Sequence, residues 1–400
     1  MTKSSAGAAI SVLAKDSTAM WRELYKQSNE LRGPLHLQSV HSSPVDFALL
    51  SSIFEGARRA PGSVKLNYFR GYVGGREDYR LAERFLEQNV SPKTISSTIT
   101  RLLCAPSPMF GERPGLVVNG GLQWSDAAQH CLAAAAKALT EVCEDFFTID
   151  LTLFIGSYGA TPFGAHIDDA SHRTVLFNLG PNEKIIKIWN RSDVERQFGM
   201  VRNVYDFDAI SASASSFCLA RGDCFVLPST QFHVGINQDV STTVAIVLDY
   251  PREGRLAAQE LAFHRAELDR LGGSHPVAGQ NVHGLVEMAR LRNISNCRLR
   301  YPISPRPTEL AKLKRSSFLR LVPPFRHQVY RFNKSELIFS RGRHYLCTSP
   351  VSGALRWLCE MAPIRTDQFI QIAAQSGCDA EEALRVIDFL LSTSGLSFHD

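Results

Sequence analysis

Nothing in this sequence is built to cross a bilayer as a helix. No window reaches the roughly 18 consecutive apolar residues this requires, so a protein in aqueous solution with no membrane partner is expected. The mild run AGAAISVLA near the start is closed by Lys15 and Asp16 with no convincing cleavage site behind it, which argues against a signal peptide. C-x-x-C spacing is absent as well. The nine cysteines, at 104, 131, 143, 218, 224, 297, 347, 359 and 378, are odd in number and scattered. That argues against a disulfide framework or a zinc knuckle, and points to reduced, mostly buried thiols in a cytoplasmic protein. Internal repeats are missing and the longest biased tract is SASASS at 211–216, which disfavours a solenoid or a disordered protein. A net excess of one sign is nearly lacking, with 44 Lys and Arg against 39 Asp and Glu.

The basic residues are nonetheless unevenly placed. From Arg292 to Arg343 there are 13 Lys or Arg against two acids, Glu309 and Glu336, an excess larger than the +5 of the whole sequence, so the remainder is net acidic. Such a block suits a nucleic acid or an acidic partner, and equally a solvated linker.

At 400 residues and 44% apolar content the protein is long enough for two or three domains. Residues 1–45 carry AMWRELYKQSNELRG, in which Trp21, Leu24, Tyr25 and Leu31 recur at near-helical spacing before Gly33-Pro34. From 46 to 145 helical and irregular segments mix, ending in the alanine-rich helix SDAAQHCLAAAAKALTEVCEDF, which Ser125 or Asp126 can cap. The period then changes from 3.6 to 2. IDLTLFIGS, TVLFNLG, KIIKIWN, SSFCLA, CFVLPS and TTVAIVLDY read as short strands parted by turn residues, a sandwich or barrel between about 148 and 250. A helix over 253–271 follows, with Leu256, Leu261, Leu268 and Leu271 on one stripe and Gly272-Gly273 as its stop, then a second one at NVHGLVEMARL. Beyond the Pro-rich YPISPRP and LVPPF, strands VYRF and ELIFS precede three helices, the last capped by Asp379. The expected parts are a helical segment 1–45, a β-domain within 46–252, a helical and basic section 253–322, and a small winged-helix-like domain 323–400.

The stretch GAHIDDASHRTVLFNLG holds the chemistry. His166 and Asp168 are two apart, so on a strand both point to one face. A third ligand is available in GDCFVLPSTQFHVGIN, where Pro228 breaks a strand and His233 is presented soon after. Two imidazoles and one carboxylate on one face of an octahedral ion leave open positions, the arrangement of non-haem Fe(II) oxygenases.

His166-x-Asp168 followed by His233 resembles the HxD…H site of JmjC-type cupin oxygenases. Gly222, Pro228, His233 and Asn237 further resemble the second cupin motif, with Thr230 where its middle glycine would stand. The order of parts, over roughly residues 40–400, resembles the bacterial ribosomal oxygenases and related protein hydroxylases. The resemblance implies a mixed α+β protein around a double-stranded β-helix (cupin or jelly-roll) core. It implies Fe(II), 2-oxoglutarate and O2, a protein or peptide substrate, ribosomal or RNA-associated among the candidates, and dimerisation through the middle helices. The first half departs from the family's pattern in loops that do not align.

In that family a Lys or Arg on the strand after HxD holds the distal carboxylate of 2-oxoglutarate. By its spacing Lys184 is the first choice, with Lys187 and Arg173 as alternatives; Lys184 and Lys187, three apart, face opposite ways on a strand. Tyr158, Thr174, Asn178, Asn237 and Thr243 could line the barrel; Thr174 and Asn178 share a face by parity and, with Tyr158, are candidates to hydrogen-bond 2-oxoglutarate, and Asn237 to contact substrate or support the ligands. Asp169 and His172 suit substrate contact or support of the ligands. The implied activity is hydroxylation of an unactivated C–H on an amino-acid side chain. The alternatives are a hydroxylase of free amino acids or small intermediates, a metal cupin with no use for 2-oxoglutarate, and a binding module.

Overall fold

The structure is a computed structural model that describes residues 10–11, 17–40, 45–59, 68–88, 90–91, 93–103, 113–271, 280–302, 313–332 and 335–399. Gly272-Gly273, most of YPISPRP and the side chains of Leu268 and Leu271 lie outside the described residues. By its contacts the protein forms two compact units, Met1–Asp145 with Ile149–Asp249, and Phe146–Thr148 with Tyr250–Asp400.

The strands of the first unit, in sequence order, are β1 (Ile10–Ser11), β2 (Leu35–Gln38), β3 (Phe69–Val73), β4 (Arg76–Glu77), β5 (Pro114–Val118), β6 (Thr148–Gly156), β7 (Gly159–Ala160) and β8 (Ala165–His166). They continue with β9 (His172–Pro181), β10 (Lys184–Trp189), β11 (Asn203–Val204), β12 (Ser215–Leu219), β13 (Cys224–Leu227), β14 (Phe232–Asn237) and β15 (Ser241–Asp249). One sheet runs β1-β2-β13-β9-β15-β6-β5-β3-β4, the other β11-β8-β14-β10-β12 with β7 beside β14. All six segments that read as strands between 148 and 250 are strands. Two things differ from the sequence reading. Residues 46–145 contribute β3 and β5 as well as helices, and β2 joins the same sheet by pairing with β13.

From β8 onward the backbone passes back and forth between the two sheets, which face each other across an apolar interior. Leu176, Leu227 and Ala245 come from one side, Ile186, Ile188 and Leu219 from the other. Each fully buried Leu or Ile there contributes roughly 1.5–3 kcal/mol. β10 shows the alternation that sets this up, with Lys184, Ile186 and Ile188 inside and Ile185 and Lys187 half-buried. β9 and β15 are buried on both faces because helices cover them: Ser17–Gln27 packs on Asp126–Thr140, and Trp21 meets Phe177 edge-on at 6.1 Å. Ser125 is the N-cap of the second helix, accepting from Ala128 N at 3.1 Å.

In the second unit, helices Glu253–Leu271 and Val282–Ser295 pack on each other through a buried ion pair. Arg292 Nε donates to Glu260 Oε2 at 2.7 Å, and His264 Nε2 lies 3.1 Å from Glu260 Oε1. Burial alone would raise the Glu260 pKa; Arg292 and His264 prevail and hold it below its ordinary value. The expected C-terminal helices are present as Ser352–Met361, Thr366–Gln375 and Ala380–Ser392, with Asp379 capping the last. The expected hairpin gains a third strand, β17 (Gln328–Phe332), β18 (Ser335–Ser340) and β19 (Arg343–Cys347). A sheet absent from the sequence reading, β20-β16-β21, joins β16 (Phe318–Leu321), β20 (Ile364–Arg365) and β21 (Leu396–His399).

The basic block is in part internal to this unit. Arg341 is fully buried with its Cζ 3.6 Å from the Phe325 ring centre, Arg298 lies over Phe146 and Phe147, and Arg292 serves Glu260. Those three cations are structural, so the block is not a continuous solvated face. Glu336 is buried too. Its Oε2 accepts from Val351 N and Ser352 N at 2.7 Å each, at the start of helix Ser352–Met361, while Arg331 Nε donates to Oε1 at 3.0 Å. Glu336→Ala is expected to destabilise this unit by about 2–3 kcal/mol, the cost of the two backbone bonds that cap the helix and of the exposed Arg331 bond. Chemical denaturation followed by tryptophan fluorescence measures it, and a change below about 0.5 kcal/mol would contradict the role.

Candidate metal centre

Two strands of the smaller sheet, and the segment just after one of them, bring the ligands together. His233 of β14 lies directly opposite His166 of β8 and, on its other side, opposite Ile188 of β10. His233 is therefore inside a strand, where the sequence had only a break after Pro228. Asp168 follows His166 by two residues. His166 Nε2 is 3.8 Å from Asp168 Oδ1, His233 Nε2 is 3.9 Å from Asp168 Oδ2, and the two imidazole centres are 4.4 Å apart. One ligand atom from each of the three lies within 4.8 Å of the others, a group able to hold a metal ion.

Hydrogen bonding fixes the tautomers. His166 Nδ1 lies 3.0 Å from Gly164 O and His233 Nδ1 lies 3.2 Å from Gln231 O. A carbonyl only accepts, so each Nδ1 carries the proton and each Nε2 presents its lone pair to the centre. Burial pushes the His233 pKa down to about 4, reinforced by His166 and opposed by Asp168. The imidazole is neutral near pH 7, the form that binds metal. Gly164 permits the approach: its φ is +68°, and a Cβ there would sit 2.5 Å from Val204 O of β11.

Further along the same face of β14 come Gly235 and Asn237. Lys184 of β10 is buried, and its Nζ donates to Tyr158 Oη at 3.1 Å and lies 5.0 Å over Phe154. Ile186 pairs with Gly235, so Lys184 starts about one residue pair farther from His233; yet its Cε lies only 2.7 Å from where a Gly235 Cβ would be. The side chain therefore leans back toward the histidines, and Gly235 leaves the room for it. Among the described residues no carboxylate pairs with Lys184, and burial pushes its pKa down to about 7. Burial also raises the Tyr158 pKa, with Asn237 acting against it. Thr161 Oγ1, Asn237 Oδ1 and Thr243 Oγ1 are buried without a hydrogen-bond partner, and Thr161 reaches the same spot as the Lys184 terminus.

Thr174 is buried opposite Leu227 and Val247, on the interior face it shares with Leu176. The remaining candidates have partners of their own. Asn178 is committed to a turn: Nδ2 donates to Asn182 O and Leu219 O, and Oδ1 accepts from Gly180 N and Ser241 Oγ. Lys187, facing away from Lys184 as parity requires, donates to Ser211 Oγ at 2.6 Å, and Arg173 Nη1 donates to Glu30 O at 2.9 Å. Asp169 Oδ1 accepts from Ser171 N, and His172 Nε2 lies 3.8 Å from Asp249 Oδ1. Phe154, Thr161, Gly235, Phe163 and Arg70 escaped the sequence reading. Gly235 alone left a signal, its parity with His233. Phe163 meets His166 edge-on at 5.7 Å.

No protein-family model and no curated protein sequence matches this protein. Its fold is similar to solved structures of Escherichia coli YcfD. One such structure is 14% identical, covers 95% of this chain and 98% of its own, and has a TM-score of 0.47. A structure described as the ribosomal oxygenase YcfD with cobalt and succinic acid is 12% identical over 98% of this chain and 99% of that one, TM-score 0.47. A third, YcfD with cobalt and 2-oxoglutarate, is 14% identical over the same shares, TM-score 0.47.

Proposed function

We propose that this protein is an Fe(II)- and 2-oxoglutarate-dependent dioxygenase that hydroxylates an unactivated C–H of an amino-acid side chain, in a protein or peptide. The observation that carries this reading is one strand face, β14, along which His166, Asp168 and His233 converge at one end and the ammonium of Lys184, with no carboxylate beside it among the described residues, reaches in from the other. The donor set, two neutral imidazoles and a carboxylate, fits a divalent first-row metal. The buried ammonium and the unpaired hydroxyls of Thr161 and Thr243, which can donate, fit a small polar dianion beside it. The strand order β13-β9-β15-β6 facing β8-β14-β10-β12 supports a double-stranded β-helix. The second unit's run of helix, strand, helix, helix and strand after β19, with the last two strands pairing β16, supports a winged-helix-like end.

Fe(II) with 2-oxoglutarate supplies oxidising power when bound, O2 being consumed as 2-oxoglutarate becomes succinate and CO2 and one OH is placed on a C–H. The protein's own contribution is to hold and to shield. Gly164 O and Gln231 O keep the two imidazoles turned with Nε2 inward. Lys184, held by Tyr158, neutralises the distal carboxylate, and Phe154, Ile186, Ile188 and Leu227 keep water from the ion pair, which strengthens it.

The test is an anaerobic titration of the apo-protein with Fe(II) and then 2-oxoglutarate, read by the visible charge-transfer band of the chelate. A band is expected; bound metal with no band would turn the reading toward a cupin of other chemistry, and no bound metal toward a binding module. Gly235→Ala should spare metal binding and weaken 2-oxoglutarate by about tenfold, since a Cβ 2.7 Å from Lys184 Cε must displace that side chain and misalignment by a fraction of an ångström weakens a charge-assisted bond. Unchanged affinity in calorimetry would show that Lys184 does not work from this position. Dimerisation through helices 253–295 belongs to the same proposal and is read by sedimentation velocity.

A further inference from the structure

We infer that Arg70 binds a carboxylate of the substrate at the mouth of the metal centre, so that the enzyme selects an acidic substrate; this rests on the oxygenase reading. Arg70 of β3 pairs with Val117 of β5, and Val117 pairs with Phe154 of β6. Directly paired residues of antiparallel strands share a face, so Arg70 stands on the sheet surface that carries Phe154, where the Lys184 ammonium rests. Its Cζ lies 5.7 Å from the centre of Phe163, the ring that meets His166 edge-on, and Tyr72, two residues on and on the same face, packs against that ring at 6.1 Å. The guanidinium is thus one aromatic ring removed from a metal ligand.

Its own bonding is incomplete. Nε is buried without a hydrogen-bond partner, and among the described residues no carboxylate or carbonyl meets the guanidinium. Covering Phe163 would need only an aliphatic side chain. An arginine left half-exposed with a buried, unsatisfied Nε has a donor fork ready for a carboxylate, which it matches in geometry and charge. A basic substrate would meet like charge there.

The experiment uses the full-length protein loaded with Mn(II) and 2-oxoglutarate under argon, so that the Lys184 position is filled, and measures binding of acetyl-Ala-Glu-Ala-amide, its Gln and Lys counterparts, and free L-glutamate by calorimetry. The Glu peptide or glutamate is expected to bind about tenfold tighter than the Gln peptide, Arg70→Lys to keep part of that preference, and Arg70→Glu to invert it toward the Lys peptide. Whichever of the Glu peptide and glutamate binds tighter identifies the carboxylate's source. Equal affinity of the Glu and Gln peptides with no advantage of glutamate, binding of no probe, or an unchanged preference in Arg70→Glu overturns the inference. If the Fe(II) and 2-oxoglutarate band still forms in that case, Arg70 alone has been misassigned; absence of the band would fault the oxygenase reading instead.

Discussion

Replacing His166 with alanine is expected to abolish divalent-metal binding and all turnover that depends on it, while leaving the apo-protein within about 0.5 kcal/mol of wild-type stability. The two effects separate because of where His166 sits. Its side chain is 21% exposed and makes one hydrogen bond, to Gly164 O, so little packing is lost. The metal, by contrast, loses one of three protein ligands, which costs more than the roughly 10–100-fold in affinity that loss of a merely supporting residue costs. Asp168→Asn isolates charge from shape: the amide keeps the volume but leaves a dication held by two neutral imidazoles. Both variants are checked by Co(II) absorption titration and thermal melts. Chelation should act on the wild type alone, lowering its melting point by the linkage that amounts to about 2.7 kcal/mol when metal is present at about 100 times its Kd. Stoichiometric Co(II) in His166→Ala would sink the assignment of this ligand.

The grouping of His166, Asp168 and His233 was legible from the short His166-x-Asp168 spacing and from the turn residues around β13 and β14 that bracket the second histidine, although β8 ends at His166 and Asp168 lies beyond it rather than on one strand face with it. Lys184 was legible only through a family's spacing; parity separated it from Lys187 but could not choose between them. What settled their environments is the third dimension: Lys184 is buried against Phe154 and Tyr158, whereas Lys187 meets Ser211. Asn178 shows the reverse failure. It has the right parity for the interior, yet its amide is saturated by backbone and Ser241 at a turn, and turn chemistry of that kind leaves no periodic trace. β3 and β5 were missed because RGYV and PGLVV are too short for a period to show, and their place beside β6 is set by pairing over long sequence distance. Arg70 was illegible for the same reason. The basic block misled because charge was counted without burial, and Arg341 and Arg292 are inside.

Lys184→Met is expected to make the ligand-free protein more stable and the 2-oxoglutarate affinity at least about 30-fold weaker. An ammonium buried with one neutral partner is costly, and a methionine of similar length removes that cost, a gain of about 1–3 kcal/mol near pH 7. The sign of the pH dependence follows from the same burial. The folded pKa is about 7 and the ordinary value 10.5, so between these the unfolded protein holds a proton that the folded protein has released. Stability of the wild type should therefore rise with pH across that window, by at most about 1.4 kcal/mol per unit, while below it the full cost of the buried ammonium remains and this group adds no further pH dependence. Ligand binding reverses the preference: a carboxylate beside the amine favours the charged form, so binding at pH 8 should take up about one proton, and at pH 6 almost none. Calorimetry in two buffers of different ionisation enthalpy counts that proton, and Lys184→Met should show no such uptake at either pH. A wild type that binds 2-oxoglutarate at pH 8 with no proton uptake would mean that the dianion is neutralised elsewhere, and that the lone buried amine on β10 serves something other than its distal carboxylate.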